Sequence, residues 1–189
     1  MPAGFPADQW DNLAGIFPNA PIGDARHITN ADGNQVAFLF AVQGASISQQ
    51  LTSDFAVGIG YNLTVGLRGG GALTPGTTFQ VGLYYMDGTA HVPVAAHIVS
   101  ATADYATTTQ LFSISANVPA VKAGDAWAGK AIGIELAATS NNGAPGIAYW
   151  ELDKVSVTAV PEPGTNTLLA CGSLGMFALA AWRRLQGKR

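Results

Sequence analysis

The sequence predicts an all-β protein: a β-sandwich over residues 1–160, followed by a single C-terminal transmembrane helix over 165–182. Three observations predict it. Eight short apolar segments, parted by Gly-, Asn-, Asp- and Pro-rich turns, precede Thr165, and none shows a helical period. The composition is 48% hydrophobic and 11% charged with 23 glycines, which suits an extracellular β domain better than a helical cytosolic one. The stretch from Thr165 to Trp182 is free of charge and runs into Arg183 and Arg184.

Residues 1–33 are dense in Pro, Gly, Asn and Asp and read as loops, with Trp10, Ile16 and Phe17 available to pack as a flap. The first strand is Val36–Val42, where Leu39 among alternating apolar residues makes both faces apolar, as in a central strand. Ile47–Leu51 is a short strand. Tyr61–Arg68 places Leu63, Val65 and Leu67 on one face, Thr64 and Arg68 on the other, and Gly69-Gly70-Gly71 ends it as a flexible turn. That triple glycine has neither the lysine nor the helix of a phosphate loop. Thr78–Met86 points Phe79, Val81, Leu83 and Tyr85 inward, and Asp87-Gly88 signals a hairpin. His91–Ser100 follows, with Pro93 marking an edge strand. A Thr-rich connector leads to Gln110–Val118, then to a loop holding Trp127, then to the buried strand Ala131–Leu136. The last strand is Tyr149–Val160. Leu152 lies on even parity and Val155 and Val157 on odd, so a β-bulge at Asp153-Lys154 is expected to keep all three in the core. Strand count alone leaves a jelly roll and an immunoglobulin-like sandwich open; the cysteine pair around a tryptophan that marks the latter is absent.

Residues 1–160 carry five basic and eleven acidic side chains, a net charge near −6, which argues against nucleic acid as a partner. The only cysteine, Cys171, lies in the apolar tail, so the domain has no disulfide and no cysteine metal site. The first eight residues have no basic n-region and no apolar run, and a secretory signal is expected upstream of Met1, left out by a start placed too late or by truncation.

The tail reads in three parts. Pro161-Glu162-Pro163 precedes the apolar span, and a basic cluster of Arg183, Arg184, Lys188 and Arg189 closes the chain. Eighteen residues at about 1.5 Å each give roughly 27 Å, enough for a hydrocarbon core. The basic cluster holds its end in the cytoplasm, so residues 1–160 are expected outside. The two prolines are expected to hold Glu162 extended and clear of the last strand.

This order of tripeptide, span and Arg cluster closely resembles the PEP-CTERM sorting signal of Gram-negative bacteria. The resemblance covers residues 161–189. It implies that exosortase, a membrane-embedded transpeptidase or protease, recognises the tripeptide and removes the span. The inner membrane is then a transient partner, and the destination is the cell surface or an exopolysaccharide matrix. A looser likeness covers residues 1–160. Gly44–Leu51, the strand at Tyr61, Gln110–Val118 and the closing Leu152-Asp153-Lys154-Val155-Ser156-Val157 resemble the galactose-binding-like jelly roll of many carbohydrate-binding modules. On that likeness the opening strand should lie upstream of Asp8, and exopolysaccharide becomes a candidate partner.

No catalytic set is legible: there is no Gly-x-Ser-x-Gly elbow and no His-Glu-x-x-His, and the reading is a non-catalytic domain. His91 and His97 share a parity and read as surface residues of one edge strand. The alternatives are a glycan-active enzyme using Glu135 and Glu151, which otherwise read as solvated, or a purely structural adhesive or matrix subunit. Tyr84, Tyr105, Trp127 and Trp150 are the candidate sugar-stacking residues, because apolar sugar faces pack on aromatic rings. Asp153 is a candidate ligand of a structural Ca²⁺, with Asp8 or Asp11 and backbone carbonyls; no other cofactor is expected.

Overall fold

The computed structural model describes residues 13–144 and 146–161. Among the described residues are nine strands and one short helix: β1 Ala14–Pro18, β2 Gln35–Phe40, β3 Ser46–Asp54, β4 Ile59–Gly70, β5 Thr78–Asp87, β6 Ala90–Ser100, α1 Ala103–Thr107, β7 Phe112–Val118, β8 Ala131–Ser140 and β9 Tyr149–Pro161. They form two antiparallel sheets, ordered β1-β2-β9-β4-β7 and β3-β8-β5-β6. From β2 onward the chain switches sheet at each connection except the β5–β6 hairpin, where Gly88 takes φ 60°. The all-β sandwich read from the sequence is thus observed. Among the described residues no helix is long and apolar enough to cross a membrane. The span 165–182 lies outside them.

The core is built by inward side chains of both sheets. Leu39, Leu63, Val65, Leu67, Trp150 and Leu152 face Phe79, Val81, Leu83, Ile132, Ile134 and Leu136. Trp150 meets Phe79 across the sandwich at 5.3 Å between ring centroids. The expected bulge is present: β4 pairs Thr64 with Ser156 but Gly66 with Asp153, so Lys154 and Val155 together oppose Val65. Lys154 enters the left-handed region at φ 53° to make it. The phase resets, and Val157 packs on the core beside the buried Leu152. Val155 does not join them: it is 44% exposed, at the mouth of a cleft between the sheets.

Four readings are corrected. Residues 14–18 form an edge strand, not a loop; the segment is too short and too rich in Gly and Pro to show an alternating pattern, and its edge position tolerates Pro18. Gly69 and Gly70 belong to β4, opposite Trp150 and Tyr149, so only Gly71 turns. The Thr-rich connector contains the short helix α1. Finally, β9 runs through Pro161, paired opposite Ile59, so the first residue of the tripeptide belongs to the strand; Glu162, expected to stand clear of it, lies outside the described residues.

Candidate functional site

The outer face of the five-stranded sheet holds what the sequence pattern hid. Because Leu39 and Trp150 point into the core, their neighbours Phe38, Phe40, Tyr149 and Glu151 point out. Register then sets two rows across the strands. Gly15, Phe38, Glu151 and Arg68 form one; Phe40, Tyr149 and Gly70 form the next. The glycines make room. A Cβ at Gly15 would come within 2.8 Å of the Phe38 ring, and one at Gly70 would collide with the Tyr149 ring.

Phe17, Phe38, Phe40 and Tyr149 pack as a half-buried aromatic cluster, tilted between Phe17 and Phe38 and edge-on among Phe38, Phe40 and Tyr149. Their centroids are 6.3 Å apart for Phe17–Phe38, 5.7 Å for Phe38–Phe40 and 6.1 Å for Phe40–Tyr149. The cluster lines a small apolar hollow. It continues past Tyr149 into a cleft of about 680 Å³, whose floor is Arg68, Glu151 and Gly69–Gly71 and whose wall is Pro18–Pro21 and Arg26.

Residues 19–34 supply that wall by folding across the sheet as a flap. Asn19 and Ile28 exchange two hydrogen bonds, at 3.0 and 2.9 Å. Asn30 caps Leu111 on both its backbone groups, at 3.0 and 2.8 Å. Ile28, Val36 and Leu111 make a satellite core beneath the flap, with Phe17 and Ala31 against it. The Asp32 N–H donates to Asp153 at 2.6 Å, and the Lys154 N–H donates to the other oxygen at 2.7 Å. The Asp153 carboxylate, the candidate calcium ligand, therefore pins the flap to the bulge. Among the described residues no group of three or more metal-ligating side chains gathers at one point, and Asp8 and Asp11 lie outside them.

Arg68 and Glu151 form an ion pair, with side chains 12% and 6% exposed. Glu151, read as a solvated strand-face residue, is thus buried against Arg68. Burial pushes its pKa up, and the Arg68 guanidinium partly opposes this. The pair is made by Arg68 Nε and Glu151 Oε2, both buried; Arg68 Nη1 is also buried and has no hydrogen-bond partner among the described residues. On the flap, Arg26 pairs with Asp24 at 2.7 Å, and that contact holds the Asp24 carboxyl well below the usual carboxylate range.

Of the aromatic residues singled out from the sequence, Tyr105 and Trp150 meet, at 5.8 Å between ring centroids, and the four do not share one exposed face. Trp150 is 0% exposed in the core and offers no face to a ligand. Tyr84 is 4% exposed; its ring lies over Gly133, where a Cβ would collide with it, and stacks on His91 at 3.9 Å. Tyr105 packs on Phe112 and Trp150, and Trp127 packs half-buried against the core. Glu135 lies on the outer face of the four-stranded sheet, 3.2 Å from His91 Nδ1, whereas Glu151 lies on the outer face of the other sheet. The two carboxylates sit on opposite sides of the sandwich and do not form a glycosidase pair. His91 and His97 also part company: a bulge opposite Leu83/Tyr84 reverses the phase between them. His97 reaches across to the Ser115 carbonyl at 2.9 Å.

A two-sheet sandwich with an aromatic cleft on one outer face defines the class, and structural neighbours share the fold. A cyclase from Fischerella sp. TAU, crystallised with 4-(1H-indol-3-yl)butan-2-one, is 19% identical with a TM-score of 0.57, covering 85% of this chain and 80% of that one. Another crystal structure of a cyclase from Fischerella sp. TAU is 20% identical with a TM-score of 0.56, covering 78% and 74%. A family 16 carbohydrate-binding module is 16% identical with a TM-score of 0.41, covering 79% and 88%. At these identities the likeness to the cyclases is one of fold alone. No curated protein matches the chain. Residues 159–184 match the PEP-CTERM protein-sorting motif, so the chain carries the C-terminal signal of an exported, exosortase-sorted protein.

Proposed function

We propose that this chain is the precursor of a cell-surface or extracellular-matrix protein whose sandwich, a non-catalytic jelly roll, binds polysaccharide on the outer face of its five-stranded sheet. The jelly-roll reading is supported by the strand order: β2-β9-β4-β7 faces β3-β8-β5-β6, with the chain passing between sheets. The binding reading is carried by one observation. An aromatic cluster of Phe17, Phe38, Phe40 and Tyr149 runs directly into a cleft floored by Arg68 and Glu151. Sugar C–H faces stack on such rings while polar groups at one end fix the hydroxyls. Exosortase acts at Pro161-Glu162-Pro163, and the apolar tail holds the precursor at the inner membrane until then.

Affinity electrophoresis of the full-length protein in detergent, through gels containing neutral and acidic polysaccharides, tests the binding reading. At least one polymer should retard the protein. Phe38→Ala and Tyr149→Ala should each weaken that retardation about tenfold, the worth of one lost stacking contact of roughly 1.4 kcal/mol. Free migration in every polymer overturns the proposal.

A further inference from the structure

We infer that the open end of the sandwich docks a single extended peptide segment of another protein, added as a fifth strand at the edge of β3. This is independent of the polysaccharide reading, which concerns the outer face of the five-stranded sheet. The two ends of the sandwich differ. At one end the edge strands β6 and β7 meet, and His97 on β6 reaches the Ser115 carbonyl on β7 at 2.9 Å. At the other end the sheets are unequal. Ala37 on β2 and Ile47 on β3 line one cleft, so β2 lies across from β3, and β1 extends its sheet one strand further. Ile16 pairs with Ala37 and shares its inward face, yet it is 66% exposed, because no described strand lies beneath it. The cleft behind β3 holds about 320 Å³. Ile47, Ile134, Leu136 and Leu152 line it, with the exposed Val155 at its mouth.

The chemistry of this edge calls for a backbone. The Ala138 N–H donates to the Ala45 carbonyl, so the bonded pairs between β3 and β8 fall at Ala45, Ile47 and Gln49. Ser46, Ser48 and Gln50 therefore turn their N–H and C=O groups to the open side. Every pair in this sheet is antiparallel. In an antiparallel segment added here, the residues opposite Ile47 and Gln49 face the cleft. Two apolar side chains, two positions apart, then enter it; the apolar lining disfavours charge there. Backbone bonds give the affinity of such strand addition, and the alternate side chains give the selectivity. The neighbouring edges are blunted: β1 is short and ends at Pro18, and β6 carries Pro93 and a bulge. Ser46–Asp54 has no proline, lysine or arginine, and its one charge is the terminal Asp54.

β1 also selects the occupant. A second copy pairing its β3 antiparallel with this one is related by a two-fold axis normal to the sheet. Its five-stranded sheet then falls on the same side, with its β2 in the space that β1 holds. A lone segment with no sheet stacked on it fits beneath β1.

The test uses the full-length protein in detergent and a fluorescein-labelled peptide, Lys-Thr-Val-Thr-Val-Thr-Lys, whose valines sit two positions apart. Fluorescence anisotropy should show saturable binding. Lys-Thr-Thr-Val-Val-Thr-Lys, which can turn only one valine to the cleft, should bind about tenfold more weakly. Ser48→Pro removes an edge N–H but no bond to β8, and should weaken binding about fivefold with unchanged circular dichroism. If that variant fails to fold, two modified peptides replace it. N-methylation of the threonine amides, which face β3, should abolish binding; N-methylation of the valine amides should spare it. Hydrogen exchange should find the Ser46, Ser48 and Gln50 amides fast in the free protein and slowed by the peptide. Amides already slow without peptide overturn the inference: the edge is then covered by residues 1–12 of the same chain if the slowing is independent of concentration, or by a second copy if it grows with concentration. Equal binding of all the peptides, or binding of none, overturns it as well.

Discussion

Glu151 shows how one side chain can be misread when only its strand is known. Its position in Tyr149-Trp150-Glu151-Leu152 marks it as outward-facing, and it is. Outward does not mean solvated here: Glu151 is buried against Arg68 at the floor of a cleft walled by residues 18–21 and 26, and local alternation contains no trace of that arrangement. The consequence is a carboxyl whose pKa is raised first by burial, with Arg68 pulling the other way. The folded state then holds the proton more tightly than the unfolded chain. Its stabilising contribution is complete below the unfolded pKa and is lost as pH rises through the folded one. Chemical denaturation of wild type and Glu151→Gln from acid to neutral pH should show wild type losing stability relative to the variant as pH rises. A relative gain with rising pH would show that the Arg68 contact outweighs burial. Gly15 and Gly70 are the other residues whose meaning is tertiary. Each reads as a weak spot in a strand, yet each leaves the space that an aromatic ring from the next strand fills.

Among the elements, the strands with strong one-sided alternation were legible. Leu63, Val65 and Leu67, and Phe79, Val81 and Leu83, all face the core as their period requires. The bulge at Asp153-Lys154 was legible too, since a parity change inside an otherwise continuous strand has few other solutions. The aromatic cluster was not. Val36–Val42 is apolar on both faces, and period two cannot say which of two apolar faces is the core. The flap was also invisible, because it is held by side-chain amides gripping backbone groups up to 81 positions away. Asn30→Ala removes both bonds to Leu111 and leaves its buried backbone groups unpaired. Thermal denaturation should show a loss of about 1–3 kcal/mol. Glycan affinity should fall as the wall of the cleft loosens; unchanged stability would mean that the flap is held elsewhere.

At the scale of the whole molecule, the sequence separates an export address from a domain, and the two were unequally readable. The address is a linear pattern of tripeptide, span and basic end, legible because a linear signal needs no folding to be present. The proposed binding face is assembled from β1, β2, β4, β9 and the flap, and no linear window contains it. Replacing Pro161-Glu162-Pro163 with three alanines should leave full-length protein in the inner membrane. Immunoblotting of membrane and extracellular fractions checks this, and a shortened extracellular form from that variant would refute the exosortase assignment.

One strand links the two ends of this arrangement. Tyr149 and Glu151, at the start of β9, belong to the cleft, while Pro161, at its other end, is paired opposite Ile59. At about 3.3 Å per residue the strand separates them by roughly 35–40 Å. In a precursor held by its tail, the proposed glycan-binding cleft therefore lies at the end of β9 away from the tail, and the end nearer the tail carries none of it.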